Sequence, residues 1–180
     1  MVTAYIAFGS NLGDRNKNIE KAIEYLRELE GVSVKKTSSI YETEPVGGGT
    51  HAGAGQDKFL NGIIEIETSL LPDELLDRLK GIESRLGRVK TEEDSPRPID
   101  LDIIFYQDIV IDGERIKIPH PRMQERDFVL RGLVEIAPTF LHPKLNKTVR
   151  ELYEELRTFD ENNKVGQVDA ELQQPLEGPK

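Results

Sequence analysis

Cysteine and tryptophan are both missing from the 180 residues, and only three histidines and two methionines are present. Without cysteine the chain has no disulfide framework, no thiolate zinc site and no cysteine nucleophile, although its redox compartment stays open. No stretch approaches the ~20 consecutive apolar residues that a membrane-spanning helix requires. The start, Met1-Val2-Thr3-Ala4-Tyr5-Ile6-Ala7-Phe8, has neither a basic leader nor an apolar run of signal-peptide length. A soluble, cytoplasmic protein is therefore expected. Positive charge is scarce too: 24 Lys and Arg face 33 Asp and Glu, a net charge of −9. That balance disfavours a nucleic-acid binder, which needs a basic face. What remains is ordinary for a globule, with 37% hydrophobic and 32% charged residues. The length suits one core, and no segment reads as a dimer surface, so a monomer is expected.

Hydrophobic spacing orders the chain. Residues 2–8 read as a buried strand, broken by Gly9-Ser10-Asn11-Leu12-Gly13-Asp14. Ile19, Ala22, Ile23, Leu26 and Leu29 recur at helical spacing, with Gly31 as the stop. Residues 32–42 read as one strand, and 44–57, with five glycines and a proline, as a long loop. A third strand over 58–67 is followed by a helix that opens at Pro72 and stops at Gly87. A charged loop over 88–97 leads to a fourth strand at 98–105. A hairpin over 109–118, a helical segment over 122–136 and a short helix over 148–157 follow. The β-α-β-β-α-β order predicts an α+β, ferredoxin-like core with an added β-hairpin and C-terminal helices. One domain is expected over 1–159, with 160–180 a polar, poorly ordered tail. The fold alone assigns no function.

Four constellations carry chemistry. In Pro96-Arg97-Pro98-Ile99-Asp100-Leu101-Asp102, two aspartates two residues apart on a strand share one face, about 7 Å apart. Such a pair suits Mg²⁺, which takes a few carboxylate oxygens together with waters and phosphates; a solvated strand face is the plain alternative. Within 115–131, Arg115, Lys117, Arg122, Arg126 and Arg131 stand against only Glu125 and Asp127, and Arg88, Lys90 and Arg97 precede the aspartates. Forked guanidinium groups suit phosphate oxygens, so a nucleoside triphosphate is the natural ligand; a charged surface strip is the alternative. His120, between Pro119 and Pro121, can donate to a phosphate or move a proton, while His51 and His142 read as structural. Phe59, Phe128 and Asn61 can sandwich a flat heterocycle and read its edge, or can simply be core and turn residues. The glycine loop lacks the Gly-Lys-Ser/Thr ending of a Walker A motif.

Taken in order, these segments resemble the 6-hydroxymethyl-7,8-dihydropterin pyrophosphokinase family of folate biosynthesis. The resemblance rests on Ala7-Phe8-Gly9-Ser10-Asn11-Leu12-Gly13-Asp14, on Ser38-Ser39-Ile40-Tyr41-Glu42-Thr43-Glu44-Pro45-Val46-Gly47 and on Phe59-Leu60-Asn61. It continues through Ile82-Glu83-Ser84-Arg85-Leu86-Gly87-Arg88, the aspartate segment, and Pro119-His120-Pro121-Arg122 with Met123 to Leu130, and so covers about residues 3–155. It implies transfer of an intact diphosphate from ATP to the pterin hydroxymethyl oxygen, with release of AMP. It further implies two Mg²⁺ ions on Asp100 and Asp102, and Arg88, Arg97, Arg115, His120 and Arg126 on the triphosphate. By the same resemblance Arg88, Arg97, Asp100 and Asp102 are the catalytic set. The pterin would lie between Phe59 and Phe128, read by Asn61, Thr43 and the backbone near Val46. Glu92-Glu93-Asp94-Ser95 stands where the family commonly carries an Arg-Trp pair, and Lys90 where a second arginine is common. A relative that binds pterin or nucleotide without catalysis is the alternative.

Overall fold

The structure, a computed structural model, describes residues 1–45, 57–89 and 95–172, with side chains in the last helix described to Glu161. Lys90, Glu92, Glu93, Asp94, Val46 and His51 lie outside the described residues. Strand β1 (Val2–Ser10) is followed by helix α1 (Arg15–Glu28), β2 (Val32–Thr37), β3 (Tyr41–Thr43), β4 (Phe59–Thr68) and α2 (Pro72–Arg85). Then come β5 (Asp100–Tyr106), a hairpin of β6 (Ile111–Asp112) and β7 (Lys117–Ile118), a 3-10 turn at Met123–Glu125, α3 (Asp127–Ile136) and α4 (Val149–Leu172).

The main sheet is antiparallel in the order β2-β4-β1-β5, with β3 pairing β4 beyond the end of β2. That is the ferredoxin-like arrangement expected from the element order. Period-two alternation gives the sheet two buried faces. Ala4, Ile6, Phe8, Ile64, Ile66, Leu101 and Ile103 pack against α1 and α2 through Ile19, Ala22, Leu26, Leu75, Leu79 and Ile82. Tyr5, Ala7, Ile63, Ile104 and Phe105 pack on the opposite side against α3 and α4 through Val129, Leu130, Leu133, Val149 and Leu152. Asp100 and Asp102, out of phase with Leu101 and Ile103, therefore face the α3 side. Among the described residues no helix is long and apolar enough to cross a membrane.

Several local outcomes differ from the periodicity reading. The strand expected over 32–42 breaks at Ser38, because the Ser38 side-chain hydroxyl accepts the Ile63 N–H at 2.9 Å and carries the chain out of the ladder. Helix α1 ends at Glu28, and Gly31, at φ +79°, serves the turn into β2 instead of the helix cap. The 122–136 segment splits into a 3-10 turn and α3. Helix α4 runs to Leu172, well past the expected end at 157. Gly87 does end α2 as expected. It adopts φ +90°, its N–H reaches the Ser84 carbonyl at 3.1 Å, and the Arg88 N–H reaches the Glu83 carbonyl at 3.0 Å. This paired bonding is a Schellman motif, and it sets the direction in which Arg88 leaves the helix.

Candidate active site

Because the strands are antiparallel, the C-terminal ends of β1 and β3 and the N-terminal ends of β4 and β5 meet at one edge of the sheet. The start of α3 closes the same corner. A cleft open to solvent lies there, lined by Thr43, Glu44, Phe59, Asn61, Arg97, Asp100, Asp102, Arg126 and Phe128 together with Ala7, Phe8 and Gly9.

Local chemistry explains each placement. Asn11, 1% exposed, accepts the Arg97 N–H through Oδ1 at 2.9 Å, and its own N–H donates to the Arg97 carbonyl at 3.2 Å. The turn after β1 thus ties down the segment that delivers Arg97 and starts β5. Asn61 donates to Thr43 Oγ1 at 2.6 Å across the β3–β4 pair. Gly9 leaves room for it, since a Cβ there would stand 2.7 Å from Asn61 Oδ1. The Arg97 guanidinium lies 5.6 Å above the Phe59 ring, within cation–π range. A β-bulge interrupts the β1–β5 register beside Tyr5 and Ile6, so that Ile103 and Phe105 are paired and Ile104 is skipped. The Ile104 carbonyl accepts the His120 N–H at 3.0 Å, which seats the Pro119-His120-Pro121 turn.

The two aspartates differ electrostatically. Burial pushes Asp100 up, but Arg97 and Arg88 outweigh it and hold the carboxyl below its ordinary value. Arg88 contacts Asp100 directly, and Arg97 Nε lies 3.4 Å away. Asp102 is pushed above the ordinary range by burial and by the charge of Asp100, against the pull of Lys80, His120 and Arg126. The Lys80 Nζ stands 4.0 Å from Asp102 Oδ1. One ionised carboxylate beside a second that resists ionisation is the arrangement a cation would relieve. Among the described residues no group of three or more His, Asp or Glu forms an all-protein metal cage. A two-carboxylate donor set instead fits Mg²⁺ that shares its shell with phosphate oxygens and waters.

Of the residues singled out from the sequence, Thr43, Phe59, Asn61, Arg97, Asp100, Asp102, Arg126 and Phe128 come together in this cavity. Arg88 sits behind Asp100, bridging it to Glu83. His120 lines a neighbouring depression with Lys117, Pro119, Pro121 and His142. Its Nδ1 accepts the Arg122 N–H at 3.2 Å, so the neutral ring carries its proton on Nε2, and burial holds its pKa down. Arg115 is not brought to the cavity lining: it pairs with Asp73 and Asp77 of α2, and its side chain is 57% exposed. Contributors that escaped the sequence reading include Glu83 and Lys80 on α2, Glu44 in the cavity lining, Asn11 beside Arg97, and Gly9, which belongs to β1 instead of the following turn. Glu83 left a signal, an acid one residue from Ile82 on a stripe that includes Leu79 and Leu86.

A ferredoxin-like domain with strand-borne carboxylates, ringed by cations and set beside a cleft with two phenylalanines, defines the class. The family model of 7,8-dihydro-6-hydroxymethylpterin-pyrophosphokinase (HPPK) matches residues 5–138, and the chain belongs to that family. Relatives include the 2-amino-4-hydroxy-6-hydroxymethyldihydropteridine pyrophosphokinase of Aquifex aeolicus, 41% identical over 84% of this chain and 90% of the relative. The Bacillus subtilis protein of the same name is 47% identical over 74% of this chain and 77% of its own. The folic acid synthesis protein fol1 of Schizosaccharomyces pombe is 42% identical over 85% of this chain, which spans 20% of that longer protein. The fold matches the crystal structure of Plasmodium falciparum HPPK-DHPS with pterin and p-hydroxybenzoate at a TM-score of 0.66 and 18% identity. That match covers 90% of this chain and 44% of the other.

Proposed function

We propose that this chain transfers the β,γ-diphosphate of ATP to the hydroxymethyl oxygen of 6-hydroxymethyl-7,8-dihydropterin, releasing AMP, as a step in folate biosynthesis. The observation that carries this reading is that Asp100 and Asp102 line one cavity together with Arg97, Arg126, Phe59, Asn61 and Phe128. In the reaction the alcohol oxygen bonds to the β-phosphorus and loses its proton. The bond from that phosphorus to the α,β-bridging oxygen breaks, and the bridging oxygen leaves with AMP. Such a step is accelerated chiefly by in-line positioning and by stabilising charge spread over oxygens.

Asp100 and Asp102 are assigned as the protein ligands of two Mg²⁺ ions. When bound, Mg²⁺ offsets phosphate charge and polarises phosphoryl oxygens. Arg88, Arg97, Arg115, His120 and Arg126 are assigned to the triphosphate, with Arg88 and Arg97 nearest the reacting groups. Neutral His120 suits donation from Nε2 to a phosphate oxygen. Arg115 reaches ATP only by leaving Asp73 and Asp77, a small cost because exposed ion pairs contribute little. Phe59 and Phe128 are assigned to the faces of the pterin, and Asn61, Thr43 and Val46 to its edge. The assigned residues fall within 1–159, read as one domain, and the working unit is read as a monomer.

The test incubates the protein with ATP, Mg²⁺ and the dihydropterin and separates the nucleotides. AMP and the pterin diphosphate should appear in equal amounts. ADP in place of AMP overturns the reaction type, and ligand binding without AMP release identifies a non-catalytic relative.

A further inference from the structure

Glu135, in the last turn of α3, holds a corner of the chain 96 residues away in sequence. Its carboxylate accepts the Ser39 N–H at 3.0 and 2.9 Å, the Ser39 hydroxyl at 2.9 Å and the Tyr41 hydroxyl at 2.6 Å. The neighbouring turn of α3 reinforces it. The Arg131 guanidinium sits 5.2 Å over the Tyr41 ring, and the Ile136 carbonyl accepts Lys36 Nζ at 3.3 Å. Gly132 allows the close approach, since a Cβ there would stand 2.6 Å from Ile63 Cγ1 and 3.2 Å from Ser38 Oγ.

The two partners of this clamp differ in rigidity. Helix α3 is anchored by Val129, Leu130 and Leu133, all fully buried. Strand β3 is three residues long and pairs only with β4, through Tyr41, Glu42 and Thr43. Its further ties are the Asn61 amide to Thr43 Oγ1 at 2.6 Å, at the cavity end, and Arg15 to Glu42 at 3.0 Å, which joins side chains 30% and 48% exposed and is weakened by solvent screening. The Glu135 bonds are also exposed, but the Ser39 N–H, the Ser39 hydroxyl and the Tyr41 hydroxyl converge on one carboxylate and fix its direction. Helix α3 carries Phe128 into the cavity, and β3 carries Thr43 into the same cavity.

We propose that Glu135 is a positioning residue for pterin: it holds β3 against the rigid α3 and so sets the spacing between the Thr43–Asn61 edge and Phe128. The inference rests on the pterin reading above. Glu135 touches neither substrate, and ATP binding does not depend on it.

The test measures the affinity of the wild type, Glu135→Ala and Glu135→Gln for 6-hydroxymethylpterin, by pterin fluorescence, with Mg²⁺ and a non-hydrolysable ATP analogue present. The affinity for the analogue alone is measured in parallel, and circular dichroism reports folding. A phenol titration reports the clamp itself. Tyr41 is pushed up to about 12 by burial and by its bond to Glu135, with Arg131 opposing, and it should return toward its ordinary value in the alanine variant. Glu135→Ala should weaken pterin binding at least about tenfold, and Glu135→Gln, which keeps one acceptor, by an intermediate factor. Analogue affinity should stay within about twofold in both. If the Tyr41 phenol is released while pterin affinity stays at the wild-type value, the proposal is overturned. Should the alanine variant fail to fold, wild-type pterin affinity in Glu135→Gln overturns it equally. A wild type that binds the analogue but no pterin overturns the underlying reading and this inference with it.

Discussion

Glu83 Oε1 accepts the N–H of Leu101 at 2.7 Å, and Leu101 is the residue that separates Asp100 from Asp102. The same oxygen takes Lys80 Nζ at 2.8 Å, and Oε2 takes Arg88 Nη1 at 2.7 Å. Strand β5 is an edge strand, whose outward N–H groups would otherwise lack a ladder partner. Helix α2 thus caps the strand edge with a carboxylate and uses that carboxylate to aim two cations at the aspartates. Burial pushes the Glu83 pKa up, against the pull of Lys80, the Leu101 N–H and Arg88.

Replacing Glu83 by alanine therefore strands a buried N–H and releases two cations. We expect a stability loss of about 1–3 kcal/mol, the scale for an unsatisfied buried group, measured by urea unfolding. AMP formation should fall at least about tenfold, because Arg88 and the Asp100–Asp102 segment lose a shared anchor.

Asp100→Asn and Asp102→Asn should each lower AMP formation by about two to three orders of magnitude, the scale of removing one preorganised electrostatic partner. Their stabilities should move apart. Asp100→Asn leaves Arg88 and Arg97 without their carboxylate and should lower the melting temperature. Asp102→Asn removes a carboxyl that burial and Asp100 already push toward the neutral form, and should leave the melting temperature unchanged or higher. Equal destabilisation by both would contradict the asymmetry.

Gly9→Ala should raise the KM for the pterin about tenfold, equivalent to ~1.4 kcal/mol, with a smaller effect on that for ATP. The added Cβ stands 2.7 Å from Asn61 Oδ1 and must turn that amide away from Thr43. In an Asn61→Ala background the same substitution should add little, since the two residues act through one contact.

His142 gives a pH signature in stability. It is 3% exposed, its Nδ1 accepts the Lys144 and Leu145 N–H groups at 3.1 and 3.2 Å, and its ring meets Phe105 edge-on at 5.4 Å. Burial holds its pKa below the ordinary 6.5. Below that value the unfolded chain takes up a proton that the folded ring refuses, so stability falls as pH drops. Urea unfolding at pH 5.5 and 7.5 should show a smaller difference for His142→Asn, which keeps an acceptor near Nδ1, than for the wild type.

The aspartate pair of the candidate site was legible from local pattern, whereas Thr43 was singled out only through the resemblance to the family. Alternation over 99–103 already placed Asp100 and Asp102 opposite Ile99, Leu101 and Ile103, because neighbouring side chains on a strand must take opposite faces. Arg115 was not legible in this way. A run of basic residues records charge along the chain, whereas its partners Asp73 and Asp77 lie on another element and are met only when the hairpin docks beside α2. Ser38 likewise looked like one more strand residue until the Ile63 N–H found its hydroxyl.

The sequence by itself determined the order of the main elements, the shared face of Asp100 and Asp102 and the ends of α2, since these follow from side-chain period and from Pro72 and Gly87, whereas the β5 bulge turns Phe105 to the α3 side against that period. Only the tertiary structure decided which cations reach the aspartates, that Glu83 supports them from behind, and that Glu135 joins α3 to β3. Arg88 meets Asp100 across 12 residues, and Glu135 meets Ser39 across 96. Their meeting depends on sheet register and helix packing, which no local period encodes.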